Sequence, residues 1–150
     1  MNGIQDGVAV VTGGGSGIGR QSSLRFAEAG AKVVVADVDG DGGRETVEMV
    51  ESDGGEATFV ETDVTDSDDV TAMVRTAIDE YGGLDFAHNN AGIADEGTRL
   101  AEYDEAEWDR MIDVNLKGVW RCLKAEIPEM IERGGGAVVN TSSVAGVSAN

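Results

Sequence analysis

The sequence predicts an α/β protein with a doubly wound parallel sheet, three layers deep, in a single domain over residues 1–150. Three observations lead there. Short apolar runs of strand length alternate with longer stretches of helical periodicity, the pattern of βαβ units with helices on both faces of a sheet. The first run ends in a glycine-rich turn that opens directly into a helical pattern. The length suits one domain and is enough to bury a sizeable core.

Taken in order, Val8 to Val11 is the first expected strand, followed by the turn Thr12-Gly13-Gly14-Gly15-Ser16-Gly17-Ile18-Gly19. Ile18, Ser22, Phe26 and Ala29 then fall on one face of a helix at 17–30. Lys32 to Ala36 is the second strand, and Gly40 to Gly43 reads as a mobile surface turn before a helix at 42–53. Ala57 to Val60 is the third strand. The helix at 67–81 has the clearest period, through Val70, Met73, Val74, Ala77, Ile78 and Tyr81. Ser67 can cap it, Asp68 and Asp69 suit its positive first turn, and Gly82 can end it. Leu84 to His88 is the fourth strand, and Asp95 to Gly97 a second mobile turn. A long helix at 104–133 opens with Asp104-Glu105-Ala106-Glu107, a capping-box variant, and Pro128 should kink it or mark its last turns. Gly134-Gly135-Gly136 leads into the fifth strand, Ala137 to Asn140. There is no internal repeat and no linker.

Composition narrows the function classes. The 29 acids against 11 bases give a formal charge of -18, which argues against a nucleic-acid partner. Only three of the bases are lysine, and the acids are spread along the chain, as on a surface that stays hydrated in high salt. Cys122 is the sole cysteine, so an internal disulfide and a cysteine-based metal site are not expected, and no metal ligands are assigned. Asp6 and Gly7 interrupt any apolar N-terminal stretch, and no run is long enough to span a bilayer. A cytoplasmic protein without a membrane partner is expected.

The chemistry-bearing residues gather where the runs end. Gly13, Gly17 and Gly19 let a ligand approach the main chain, and the new helix presents free N–H groups and its positive dipole end, which suit phosphate. Asp37 ends the second run eighteen residues past Gly19, where an acid can accept hydrogen bonds from an adenosine ribose and repel a 2′-phosphate. Neither Ser16 nor Val38 is basic, so nothing adjacent offsets that charge. A simple turn with Asp39 and Asp41 is the competing reading. Asp63 either accepts from an adenine amino group or starts the Thr65-Asp66-Ser67 turn. Asn89-Asn90-Ala91-Gly92 leaves room for a ligand at a strand's carboxyl end, or is a turn. Asn115 shares a stripe with Trp108, Met111, Ile112, Val119 and Leu123, which also fits a satisfied core asparagine. Ser142 and Ser143 follow the fifth strand, and His88 reads as structural.

Together, TGGGSGIG at 12–19, Asp37, Asp63-Val64, NNAG at 89–92, Asn115 within DVNLKG and VVNTSS at 138–143 resemble the short-chain dehydrogenase/reductase family over nearly the whole chain. The resemblance implies a Rossmann fold and an NAD-dependent oxidoreductase that moves hydride between a nicotinamide cofactor and a secondary alcohol or ketone. It implies that Gly13, Ser16, Gly17, Ile18 and Gly19 hold the pyrophosphate side and that Asp37 holds the ribose, favouring NAD over NADP. Asp63 and Val64 would flank adenine, and Asn90, Ala91 and Gly92 would line the path to nicotinamide. Asn115 would position a proton-relay water and Ser143 would orient the substrate oxygen. It also implies a homo-oligomer, dimer or tetramer.

One departure is large. The family's acid/base tyrosine, with a lysine four residues later, has no counterpart here: Tyr81 is followed at that distance by Asp85, and Tyr103 by Glu107. By resemblance, that pair and the last two strands belong beyond Asn150. The sheet is therefore expected to be incomplete at its C-terminal end and the 150 residues inactive by themselves. A non-catalytic dinucleotide-binding module is the alternative, and an epimerase or dehydratase on the same cofactor fold a third.

Overall fold

A computed structural model describes residues 3–94 and 97–144. Five strands, β1 (Val8–Thr12), β2 (Lys32–Asp37), β3 (Glu56–Glu61), β4 (Phe86–Asn89) and β5 (Ala137–Asn140), form one parallel sheet in the order β3-β2-β1-β4-β5. Helices α1 (Gly17–Glu28) and α2 (Gly40–Ser52) cover one face, and α3 (Ser67–Tyr81) and α5 (Val119–Glu132) the other. The expected three-layer doubly wound fold is what the chain adopts. Strand alternation divides the core. Val11, Val33 and Val35 pack with Phe26, Val47 and Phe59 on the first face. Val10, Val34 and Ala36 pack with Val70, Met73, Val74 and Ala77 on the second.

Polar caps fix where the helices start. Asp39 accepts from the N–H groups of Asp41 and Gly42, so α2 begins at Gly40. Gly40 to Gly43 is thus the first turn of a helix, not a mobile surface turn; the aspartate offsets the cost of its glycines. Asp66, not Ser67, caps α3, accepting from Asp68 at 2.7 Å. Gly82 ends α3 at φ +86°, as expected. Of the second turn expected to be mobile, residues 95 and 96 lie outside the described residues, and Gly97 has φ +89°.

Two helical readings need correction. In α1 the buried positions are Gly19 and Ser23, whereas Ile18 and Ala29 are exposed. Ser23 returns its hydroxyl to Gly19 O, so small residues carry the close approach to the sheet. The helix expected at 104–133 is three pieces: α4 (Glu105–Ile112), a wide π-helical turn at Asp113–Gly118, and α5. Asp104 caps the first through Ala106 N, and Pro128 lies in the last turns of α5. The face α5 buries is Arg121, Cys122, Glu126 and Met130, while Trp108, Ile112 and Trp120 are exposed. Arg121 is tolerated inside because it bonds Asp113 Oδ1 at 2.9 Å and reaches Val64 O at 3.3 Å. Its guanidinium holds the Asp113 carboxyl below the usual carboxylate range.

The ion pairs lie mostly at the surface, and 11 bases cannot neutralise 29 acids. Self-repulsion therefore opposes the compact state in dilute buffer and is screened when the Debye length shrinks to roughly 3 Å near 1 M salt. Melting temperature is expected to rise as KCl goes from dilute to molar. A melting point that is flat or falls with KCl removes the halophilic interpretation.

Candidate functional site

The sheet order reverses between β1 and β4, where crossovers leave the strand ends diverging and open α/β sheets bind ligands. A cleft of about 1480 Å³ opens there. It is lined by Gly13, Ser16, Gly17, Ile18, Asp37, Asp63, Val64, Asn90, Ala91, Gly92, Asn115 and Ser143. Residues far apart in sequence converge because parallel strands present all their carboxyl ends on one edge. Gly19 alone among the predicted site residues stands behind the cleft. A Cβ there would fall 2.0 Å from Gly13 O, so its part is to let the helix close on the turn.

The β1–α1 turn is shaped for close approach. Gly13 and Gly17 hold φ +64° and +51°. Ser16 occupies the N-cap of α1 without bonding a backbone N–H, and no acid stands in the first turn. The starts of α2, α3 and α4 are each occupied by an aspartate instead. In a chain so rich in acids, the start of α1 is left open and faces the cleft, whereas α5, also without a side-chain cap, simply runs on from the wide turn.

Thr12, a residue not singled out from sequence, joins this turn to β4. Its hydroxyl accepts from Asn90 N at 3.0 Å and Ala91 N at 3.1 Å, and Asn90 Nδ2 donates to Thr12 O at 3.2 Å. A hydroxyl closing an otherwise apolar strand was the available signal. His88 Nε2 lies 2.8 Å from Thr141 Oγ1, which donates on to Asn90 Oδ1 at 3.2 Å. Burial lowers the pKa of His88, and a neutral ring protonated at Nε2 satisfies that direction.

The two acids differ. Asp37 accepts from Gly15 N at 2.8 Å and from Asp39 N at 2.9 Å, so both oxygens are anchored at the cleft wall. The turn and the cleft-lining readings therefore hold together for this residue. Asp63 is exposed and accepts from Thr65 N at 2.8 Å and Thr65 Oγ1 at 2.7 Å, a turn that also borders the cleft. Val64 beside it is buried against Gly118.

Asn115 is not a core asparagine. It is exposed within the wide turn, and its amide clasps the backbone of Ile93, accepting from Ile93 N and donating to Ile93 O, each at 2.8 Å. The amide thereby fixes Ile93, itself part of the cleft lining. Ser142 and Ser143 are exposed at its rim. Tyr81 is remote from the cleft chemistry, and burial, aided by Glu80, Glu56 and Glu51, pushes its phenol up to about 12, away from acid/base use near neutrality. Among the described residues no group of three His, Cys, Asp or Glu side chains could hold a metal ion.

The family model for short chain dehydrogenase matches residues 7–150. A short chain dehydrogenase/reductase of Aspergillus oryzae is 46% identical over 142 residues, covering 93% of this chain and 54% of that protein. A cyclohexanol dehydrogenase of Acinetobacter is 38% identical over 146 residues, covering 97% of this chain and 58% of its own length. The chain thus spans just over half the length of these relatives. A solved short-chain dehydrogenase/reductase from Burkholderia xenovorans superposes with a TM-score of 0.92 at 37% identity, covering 97% of this chain and 59% of that one. Match and superposition extend across the strands and turns that build the cleft, and this chain belongs to the short-chain dehydrogenase/reductase family.

Proposed function

We propose that these residues form the cofactor-binding part of an NAD-dependent oxidoreductase acting on a secondary alcohol or carbonyl compound. The observation that carries this is the start of α1, without a side-chain cap or an acid, opening onto the same cleft wall as Asp37. Oriented N–H groups and a positive helix end suit a pyrophosphate, and an anchored carboxylate suits a ribose diol. A nicotinamide dinucleotide fits that donor set and supplies hydride transfer when bound.

In this reading Gly13, Ser16, Gly17 and Ile18 hold the pyrophosphate, with Gly19 allowing the turn to close. Asp37 accepts from the ribose, and Asp63 and Val64 border adenine. Asn90, Ala91 and Gly92 lie along the path towards nicotinamide. Asn115, by gripping Ile93, shapes the place where a relay water is held, and Ser143 orients the substrate oxygen. Neither provides an acid/base near neutral pH, and no tyrosine here has a lysine four residues on. Relatives carrying dehydrogenase names support the chemical class. Exposed Trp108, Ile112, Leu116 and Trp120 support a homo-oligomer, which we place in the cytoplasm. Among the described residues no helix is long and apolar enough to cross a membrane.

Residues 1–150 are expected to bind NAD weakly yet turn over negligibly, since general acid–base catalysis supplies about 10²–10⁴ in rate. The check is NADH formation by these residues and by a longer natural chain carrying a tyrosine–lysine pair, on a substrate the longer chain accepts. Comparable rates would overturn the mechanism; a longer chain that binds NAD but turns over no alcohol or carbonyl compound offered would favour a non-catalytic dinucleotide module.

A further inference from the structure

Arg20, one turn into α1, does not line the cleft, yet its side chain is only 21% exposed. Nε donates to Gly15 O at 3.1 Å and to Thr46 Oγ1 at 3.0 Å. Nη2 donates to the same Gly15 oxygen, to Gly42 O at 3.4 Å and to Glu45 Oε2 at 2.6 Å. One planar fork therefore ties the glycine turn to the start of α2. The partnership with Glu45 is half exposed and contributes little by itself; the directional bonds to two carbonyls and a hydroxyl are what a guanidinium can make and an ammonium cannot reproduce.

The other side of Gly15 carries Asp37. Gly15 N donates to Asp37 Oδ2 at 2.8 Å while Gly15 O is held by Arg20. A Cβ at this position would stand 2.9 Å from Asp37 Oδ2 and 3.0 Å from Gly43 N, so glycine is what lets the carboxylate lie against the turn. The bonds form a chain from Arg20 through the Gly15 main chain to the acid on the cleft wall. A carboxylate free to rotate can turn from an incoming phosphate, whereas one held by a fixed peptide keeps its charge in place.

We propose that Arg20 is a positioning residue for cofactor choice, acting through Gly15 to hold Asp37 where a 2′-phosphate must meet its charge. This rests on the reading of Asp37 as the ribose acid. A residue that merely supports the fold would weaken NAD and NADP alike, whereas a positioning residue moves their ratio.

The test is calorimetric titration of wild type, Arg20→Met, Arg20→Lys and Gly15→Ala with each nucleotide, alongside circular dichroism melts. In Arg20→Met the preference for NAD is expected to fall by about tenfold, the size of one lost charge-assisted hydrogen bond. Gly15→Ala should show the same loss from the other end, and it alone decides if Arg20→Met does not fold. Arg20→Lys should recover only part of the preference; full recovery would show that charge and not the fork acts, overturning the proposal. An NAD preference unchanged in both Arg20→Met and Gly15→Ala also overturns it, leaving the ribose reading intact. Wild-type protein that binds both nucleotides equally, or neither, overturns the ribose reading and this inference with it.

Discussion

NAD is expected to bind the purified protein about two to three orders of magnitude more tightly than NADP, and Asp37→Asn to remove most of that difference. The magnitude follows from charge. Two like unit charges 4 Å apart repel by about 4 kcal/mol at an effective dielectric near 20, close to three decades in affinity before salt screening. The structure strengthens the expectation, because both carboxylate oxygens are anchored by backbone N–H groups and the acid cannot swing aside cheaply. Neither Ser16 nor Val38, at the same end of the cleft, brings a compensating positive charge. Asparagine keeps a hydrogen-bond acceptor for the ribose while losing the charge, so NAD affinity should drop modestly and NADP affinity should rise. Equal affinities in the wild type would remove Asp37 from the ribose.

Glu126→Gln is expected to stabilise the protein by about 3 kcal/mol above pH 8 and hardly at all near pH 4.5. Glu126 is fully buried between α5 and β4, where its Oε2 accepts from Asn89 Nδ2 at 3.0 Å. Among the described residues neither its Oε1 nor the Asn89 Oδ1 has a hydrogen-bond partner. Asn89 also donates to Asn140 Oδ1 at 3.0 Å, so the buried amide joins β4 to β5. Burial pushes the Glu126 carboxyl up from 4.5 to about 7, against the smaller opposing effect of the Asn89 bond. A raised carboxyl pKa means that the folded state favours the protonated form. Its contribution is fully present below pH 4.5 and is lost as pH rises through about 7. Of its titratable neighbours on α5, Cys122 has a thiol that burial pushes up to about 12 and stays neutral through this window, while Arg121 is engaged by Asp113. Glutamine has the same shape, carries no charge, and adds a donor among acceptors. Melts of both proteins from about pH 4.5 to 8.5 check this, and a stability gap that does not widen with pH would contradict the buried neutral acid.

Much of the fold was legible because it rests on local physics. Runs such as Val33-Val34-Val35-Ala36 are apolar on both faces, which only a sheet covered on both sides can satisfy. The α3 stripe through Val70, Met73, Val74 and Ala77 is buried as its period requires. Errors fell where a side chain's partner lies outside its own segment. Arg121 and Glu126 are both inside although charged side chains are rarely buried, because Asp113 and Val64 O bond the first and Asn89 bonds one oxygen of the second. Trp108 and Ile112, expected on one stripe with Asn115, are exposed, and the wide turn at Asp113–Gly118 shifts the helix phase between them and the buried face of α5.

The sequence by itself determined the order of strands and helices, the glycine turn, and the acids at the strand ends, since these follow from periodicity, backbone permissiveness and spacing. Which helix start stays uncapped, how Asp37 is held, and what Asn115 grips were decided by tertiary structure. Asp39, Asp66 and Asp104 bond amides close to them in the chain, so their caps are local. Arg20 meets Thr46, Asn115 meets Ile93 and Thr12 meets Asn90 only after the sheet has assembled. A hydrogen bond falls off within a few tenths of an ångström and tens of degrees, so partners that distant in sequence are set by how elements pack and not by the residues between them.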